Sequence, residues 1–276
     1  MDVTALVRRH RDVVGGTIYW NPSKTDGAIH PVGLEGFDAV VHLNGACVAR
    51  RWTQSYRREI VESRVGSTRA LCEALAQVRH PPRVLVCASA IGIYGDRGEE
   101  VLTESSASGT GFLAETCMAW EKAADKARGA GIRVVHARFG VVLSGKGGAL
   151  KTMLRPFRLG LGGKLGSGQQ WMSWISVRDA VRALLFLMDE EGQAGAFNLT
   201  APQPERNVDF TSALAGAVHR PAWFTAPAGV LRLALGARMA NETLLASARV
   251  QPERLRGAGF RFEDEELGAA LRSLLR

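Results

Sequence analysis

Short apolar runs, each closed by small or polar residues, alternate with longer stretches of helical period through the first two-thirds of the chain. Val3-Thr4-Ala5-Leu6-Val7 reads as a strand closed by Arg8-Arg9, and residues 10–36, rich in Gly and Pro, read as loop. Phe37 to Leu43 is the next strand and ends in Asn44-Gly45-Ala46. Thr53 is placed to cap a helix running to about Arg79, with Val61, Val65, Thr68, Cys72, Leu75 and Val78 at helical spacing. Pro81-Pro82 stop it and lead into Arg83–Asp96, RVLVCASAIGIYGD, a strand without alternation and so buried on both faces.

Residues 97–111 are polar and glycine-rich. Phe112 to Arg128 predicts a helix ended by Gly129 and Gly131, and Ile132 to Arg138 predicts a strand that Phe139–Leu143 continues or turns out of. Lys151–Phe157 predicts a short helix, and Leu159 to Gln170 is too rich in glycine for a regular element. Trp171–Ile175 follows as a strand, then a helix over Val177–Asp189 started by Ser176 and Asp179, then a strand over Ala196–Thr200. Beyond Pro202 and Pro204 the pattern is helical: from Asn207 to His219, over about 227–249, and from Glu263 to Arg276. Strands alternating with helices predict an α/β fold with a doubly wound parallel sheet over residues 1–200, and a smaller, mostly helical C-terminal domain over 201–276. Residues 147–175 are expected to reach toward the substrate side.

Composition narrows the class. The 276 residues are 46% apolar, enough to fill a sizeable core. The longest apolar candidate, Ala183 to Met188, is far short of the ~18 residues of a membrane span, and the N-terminus has no signal-length apolar segment. A cytoplasmic protein with no membrane contact is expected. The net charge of +8 is spread without a basic run longer than two residues, which argues against a nucleic-acid partner. Cys47, Cys72, Cys87 and Cys117 form no CxxC pair and read as buried, reduced thiols, and the six scattered histidines predict no metal site.

In open α/β sheets ligands bind beyond the carboxyl ends of the strands. Ser89 stands at such an end, after the small residue Ala88, with Tyr94 following in the next turn; an alternative is a βα loop that is small because it packs tightly.

The order strand-LNGA (43–46), long helix, strand-SAIGIYGD (89–96), helix, strand-RFGVVL (138–143) and WISVRD (174–179) resembles the extended short-chain dehydrogenase/reductases. PFRLGLGG (156–163) with Gly166-Ser167-Gly168, and GFLAE (111–115) with Trp120-Glu121, narrow the resemblance to an atypical branch called epimerase family proteins. The resemblance implies a Rossmann-type domain binding NAD(P) and a C-terminal domain closing over a small-molecule substrate. It departs in two places. The family's first strand and glycine-rich phosphate loop find no counterpart before Val3, so a gap or makeshift pairing is expected beside residues 3–7. The catalytic YxxxK is absent: four residues after Tyr19, Tyr56 and Tyr94 stand Ser23, Ile60 and Gly98, and registering on Glu121 brings Leu113 and Cys117 to the matching places.

Residue by residue, the resemblance makes Ser89 the catalytic hydroxyl and Tyr94 the only nearby phenol, a substitute proton donor or else a packed loop residue. Arg8 and Arg9 take the place where an arginine accommodates a ribose 2′-phosphate, which predicts NADP over NAD; exposed strand-end arginines are the alternative. Asn44, Gly45 and Ala46 match a loop that lets the backbone approach the cofactor. Ala88, Ser89, Arg138, Phe139 and Gly140 are expected on the nicotinamide side. Arg155 and Arg158 are candidates to clamp an anionic substrate, with Gln169, Trp171 and Trp174 lining its pocket, unless the arginines are simply solvated and the tryptophans core. Three readings stay open: an NADP-dependent oxidoreductase or epimerase-like enzyme, a dinucleotide-binding sensor, and a truncated, non-binding chain.

Overall fold

The computed structural model describes residues 2–22 and 29–276. The strands are β1 (Ala5–Val7), β2 (Thr17–Tyr19), β3 (Ala39–His42), β4 (Val84–Ala90), β5 (Val101–Leu102), β6 (Arg133–Phe139), β7 (Val141–Leu143), β8 (Gly163–Leu165), β9 (Trp171–Met172), β10 (Trp174–Ser176), β11 (Gly195–Leu199), β12 (Glu205–Arg206), β13 (Phe224–Ala226) and β14 (Arg249–Val250). The helices are α1 (Gln54–Val61), α2 (Ser67–Leu75), α3 (Phe112–Ala124), α4 (Gly148–Arg158), α5 (Val177–Asp189), α6 (Asn207–Ala217), α7 (Ala228–Leu235), α8 (Ala237–Met239), α9 (Glu253–Gly257) and α10 (Leu267–Leu274).

The central sheet is parallel, in the order β11-β6-β4-β3. Both its faces are covered, which explains the continuous apolar run of β4: six of its seven residues are buried. One face packs on α2 and α3 through Leu71, Leu75, Leu85, Trp120 and Val134, and the other on α5 through Val86, Val135, Ala183 and Leu187. The expected doubly wound sheet is therefore present.

β1 and β2 stand apart. They pair in parallel with each other and, among the described residues, with no strand of the central sheet. The outer edge of β3 carries no partner strand there, which matches the gap expected beside residues 3–7. What links the two sheets is apolar: Trp20, Ile29 and Leu34 are buried in the α2–α3 cluster, with Leu6 and Val40 packed against it.

Several expectations are corrected in detail. Residues 10–36 are not all loop, since Thr17–Tyr19 is a strand; residues 23–28 lie outside the described ones. The helix expected from Thr53 to Arg79 is interrupted by a π-turn over Glu62–Gly66. Its cap is as read, the Thr53 side chain accepting from the Tyr56 N–H at 3.1 Å. Phe139–Leu143 turns out of β6 to form β7, which pairs with β10. The glycine-rich segment after α4 contains β8, paired with β13. Cys47 is exposed, whereas Cys72, Cys87 and Cys117 are buried.

A third apolar cluster joins Leu150, Leu154 and Phe157 of α4 and Trp174 to Phe210 and Leu214 of α6 and Leu267 and Leu271 of α10. Residues 147–175 thus share a core with the C-terminal helices. No described helix is long and apolar enough to cross a membrane.

Candidate functional site

The chain leaves β3 at His42, and the next residues open a cavity of about 350 Å³ at the carboxyl end of the sheet. Arg8, just past β1, and Asn44, Gly45, Ala46, Cys47 and Arg50 line it together. The loop is pinned to the π-turn, where the Ala46 N–H donates to Ser63 Oγ at 2.9 Å. It is pinned to α1 by the Tyr56 hydroxyl, which donates to the Cys47 carbonyl. Gly45 is closely approached: a Cβ there would lie 2.9 Å from Cζ of Arg64, whose side chain would have to shift. Arg8 forms no ion pair among the described residues. Arg9 is exposed and lies outside this lining.

A buried polar network begins on the neighbouring strand, β4. The parallel register sets Ser89 of β4, Arg138 of β6 and Asn198 of β11 side by side. Glu121 projects from α3 onto this row. Arg138 donates to it through Nε at 2.8 Å and Nη2 at 2.9 Å, and the Ser89 hydroxyl donates to the same carboxylate at 2.7 Å. Arg138 Nη1 also donates to the Tyr94 hydroxyl at 2.9 Å, which in turn donates to Asn198 Oδ1 at 2.8 Å. Burial alone would raise the Glu121 carboxyl; Arg138, His136 and Ser89 outweigh it and hold the pKa below the usual value. Burial likewise opposes the charge on Arg138, and Glu121 reverses that. For Tyr94 burial wins, and its pKa rises despite Arg138. Such charge-assisted, two-pronged bonds fix geometry as well as energy.

Of the nicotinamide-side candidates, Ser89 and Arg138 therefore meet in one network, and Ala88 lies buried beside them on β4. Phe139 ends β6, and Gly140 follows it where a Cβ would lie 2.7 Å from the Ser173 carbonyl oxygen. Tyr94 has no exposed surface and joins the network rather than the cavity lining.

The substrate candidates are not brought together. Arg155 and Arg158, with Lys151, line a second cavity of about 160 Å³ beside α4. Arg206 and Arg249 both stack on Trp171, with Cζ 4.6 and 4.5 Å from its ring centroid, and its indole N–H donates to Glu99 at 2.9 Å. Gln169 is exposed. Trp174 is a correction: it is wholly buried in the α4–α6–α10 core, not a pocket wall, because its strand pairs with β7 beneath α4. Among the described residues no group of three or more His, Cys, Asp or Glu is placed to hold a metal ion.

Sequence reasoning missed Asn198, one of many polar residues at strand ends, and used Glu121 only to set a register. Their contacts with Tyr94 and Ser89 span 104 and 32 residues. The signal for Glu121 is a lone acid in an otherwise apolar helix face.

A parallel Rossmann-type sheet with this loop and cavity at its carboxyl end defines a dinucleotide-fold protein of the epimerase type. Residues 3–200 match the NAD dependent epimerase/dehydratase family, and residues 226–274 match a domain of unknown function, DUF1731. The chain belongs to the NAD dependent epimerase/dehydratase family. It is 43% identical over 255 residues to epimerase family protein Mb2239 of Mycobacterium bovis, covering 92% of this chain and 83% of that one. The crystal structure of human epimerase family protein SDR39U1 with NADPH superposes with a TM-score of 0.88 at 30% identity, over 99% of this chain and 90% of that one. A nucleoside-diphosphate sugar epimerase from Corynebacterium glutamicum gives a TM-score of 0.80 at 34% identity, over 99% of this chain and 52% of that one.

Proposed function

We propose that the chain is an NADP(H)-dependent, epimerase-like oxidoreductase acting on a small-molecule substrate. The observation that carries this reading is the shared cavity, lined by Arg8, by the loop Asn44-Gly45-Ala46 and by Glu59 and Glu62, in which Arg8 makes no ion pair among the described residues. Arg8 suits a ribose 2′-phosphate, a charge that NAD lacks. Gly45 and Ala46 suit close approach of the cofactor to the backbone. A relative of 30% identity was solved with NADPH, which supports the same choice. The bound dinucleotide supplies hydride transfer; the chain's own residues position it and hold protons. Ser89, at the end of β4, is the hydroxyl we assign to the nicotinamide side. Residues 1–200 would carry the cofactor, with 201–276 closing over the substrate beside 147–175.

A second reading, a dinucleotide sensor without turnover, draws on Tyr94. Its hydroxyl is buried and bonded on both sides, a poor start for a proton donor.

Titration with NADPH and NADH tests the first reading. NADPH is expected to bind more tightly, and Arg8→Ala to weaken NADPH by about 10- to 100-fold while leaving NADH unchanged, as for the loss of one charge-assisted contact. Equal binding of both cofactors, or no effect of Arg8→Ala, overturns the NADP assignment. NADPH oxidation over a panel of carbonyl compounds separates enzyme from sensor: turnover that Ser89→Ala abolishes supports the enzyme, and tight binding with no turnover supports the sensor.

A further inference from the structure

Large apolar side chains stand in solvent along two joined segments, 151–165 and 218–239. Leu159 and Leu161 follow α4, and Trp223 and Phe224 lead into β13; Trp223 is 88% exposed and Leu159 74%. β13 pairs in parallel with β8, Phe224 opposite Gly163, which brings Trp223 to the same end of the pair as Leu161. Arg220 Nε donates to the Arg158 carbonyl at 3.3 Å, so the segments are already joined before the strands begin. Beyond β13 comes α7, AGVLRLAL, which is apolar but for Gly229 and Arg232 and has no buried residue. Leu233 stands out of it at 82% exposure. Single exposed apolar residues are ordinary, but a series of them on segments joined in space marks a contact surface.

Charge identifies the occupant. The two segments contain no Asp or Glu, in a chain that has 27 acidic residues. The first carries Lys151, Arg155, Arg158 and Lys164, and the second Arg220, Arg232 and Arg238. Among the described residues none of these cations is in an ion pair. Those that are bonded meet neutral acceptors: Lys151 the Lys146 carbonyl, Arg220 the Arg158 carbonyl and Arg232 the Asn241 side chain. Lys151, Arg155 and Arg158 line the cavity of about 160 Å³ formed by the last turns of α4, immediately before Leu159. A second copy of this chain would set two such cationic surfaces against each other, which is repulsive; an anionic partner is complementary. Apolar side chains that project from strand ends and a short helix, rather than wall a groove, suit a soft phase that needs no matching shape. Trp, Phe and Leu beside Lys and Arg are the composition of an interfacial contact.

We propose that this face docks on an anionic lipid surface. Trp223, Phe224, Leu159 and Leu233 enter the headgroup boundary, and the cations meet lipid phosphates. The expectation of no membrane contact rested on the lack of a spanning segment, which bears on crossing a bilayer and not on lying against one.

The full chain is sedimented with vesicles of phosphatidylcholine alone, and of phosphatidylcholine and phosphatidylglycerol in equal parts. Binding is expected to the anionic vesicles, about tenfold or more tighter than to the neutral ones, and to weaken as salt rises. Trp223→Ser should weaken it about tenfold, and so should Arg232→Glu combined with Arg238→Glu. These side chains are exposed, and NADPH affinity should stay within about twofold of the unmutated chain. No binding to anionic vesicles, equal binding to both kinds, or binding unmoved by Trp223→Ser each overturns the proposal. So does a dimer in light scattering that Trp223→Ser dissolves, which assigns the face to a second copy. Binding to polyglutamate without binding to vesicles also overturns it and points to an acidic protein partner.

Discussion

At the residue scale the cluster of Ser89, Glu121, Arg138, Tyr94 and Asn198 is held by a single ion pair. Both charges are nearly dry, at 11% and 12% side-chain exposure, so removing either leaves the other unpaired. Glu121→Ala is expected to destabilise the fold by about 3–5 kcal/mol, whereas Tyr94→Phe, which deletes one hydroxyl, should cost about 1–2 kcal/mol. Urea unfolding measures both. The two effects will not add in the double variant, because Arg138 touches both partners. Glu121 also sets an acid limit. Its pKa is lower folded than unfolded, so its contribution is complete above the unfolded value of about 4.5 and fades as pH falls through the folded one. Glu121→Gln should remove that component of the acid transition. Ser89 and Tyr94 could be read from the sequence because a break to small residues after an apolar strand marks a strand end. Their partners could not, because they arrive from α3 and β11 through tertiary packing.

At the element scale, local chemistry was readable where it decides the outcome and unreadable where a distant partner does. Ser176 caps α5 as its spacing with Asp179 implies, accepting from the Asp179 N–H at 3.1 Å. β2, β8 and the two-residue strands exist only through their neighbours, and no periodicity announces three residues. The break at Glu62–Gly66 was hidden for the same reason, since its apolar positions still follow helical spacing on either side. Asp179 shows an element doing a second task. Its carboxylate, wholly buried at the start of α5, accepts from the backbone N–H groups of Glu263 and Asp264 and from Arg182. It therefore ties the segment before α10 to the sheet domain. Asp179→Ala is expected to cost about 3 kcal/mol, the scale of hydrogen bonds to a charged acceptor left unmade. Amide exchange should quicken first in residues 260–276; uniform quickening along the chain would contradict this local role.

At the scale of the whole molecule, the weak seam is between the β1–β2 pair and the central sheet. The two share an apolar cluster but, among the described residues, no ladder of hydrogen bonds. The sequence led to the expectation of a gap or makeshift pairing beside residues 3–7, and the separate β1–β2 pair is where it falls. His42, the last residue of β3, lies in it, buried with the Trp20 ring centroid 5.9 Å from its own and Ser67 Oγ 3.4 Å from Nε2. Burial lowers its pKa from 6.5 to about 4. Between those values the unfolded chain binds a proton that the folded chain refuses, so stability rises with pH across that window. The contribution is complete above about pH 6.5 and is lost as pH falls toward about 4, a total of about 3 kcal/mol at 1.36 kcal/mol per unit. His42→Asn should flatten the pH profile of urea stability across that range while leaving the steeper fall below it. Because the charge would enter at the seam, exchange protection in residues 5–20 should drop before that of β4 and β6 as the pH is lowered. A histidine variant whose profile matches that of the unmutated chain would show that His42 is protonated as readily folded as unfolded, and that the seam is wet.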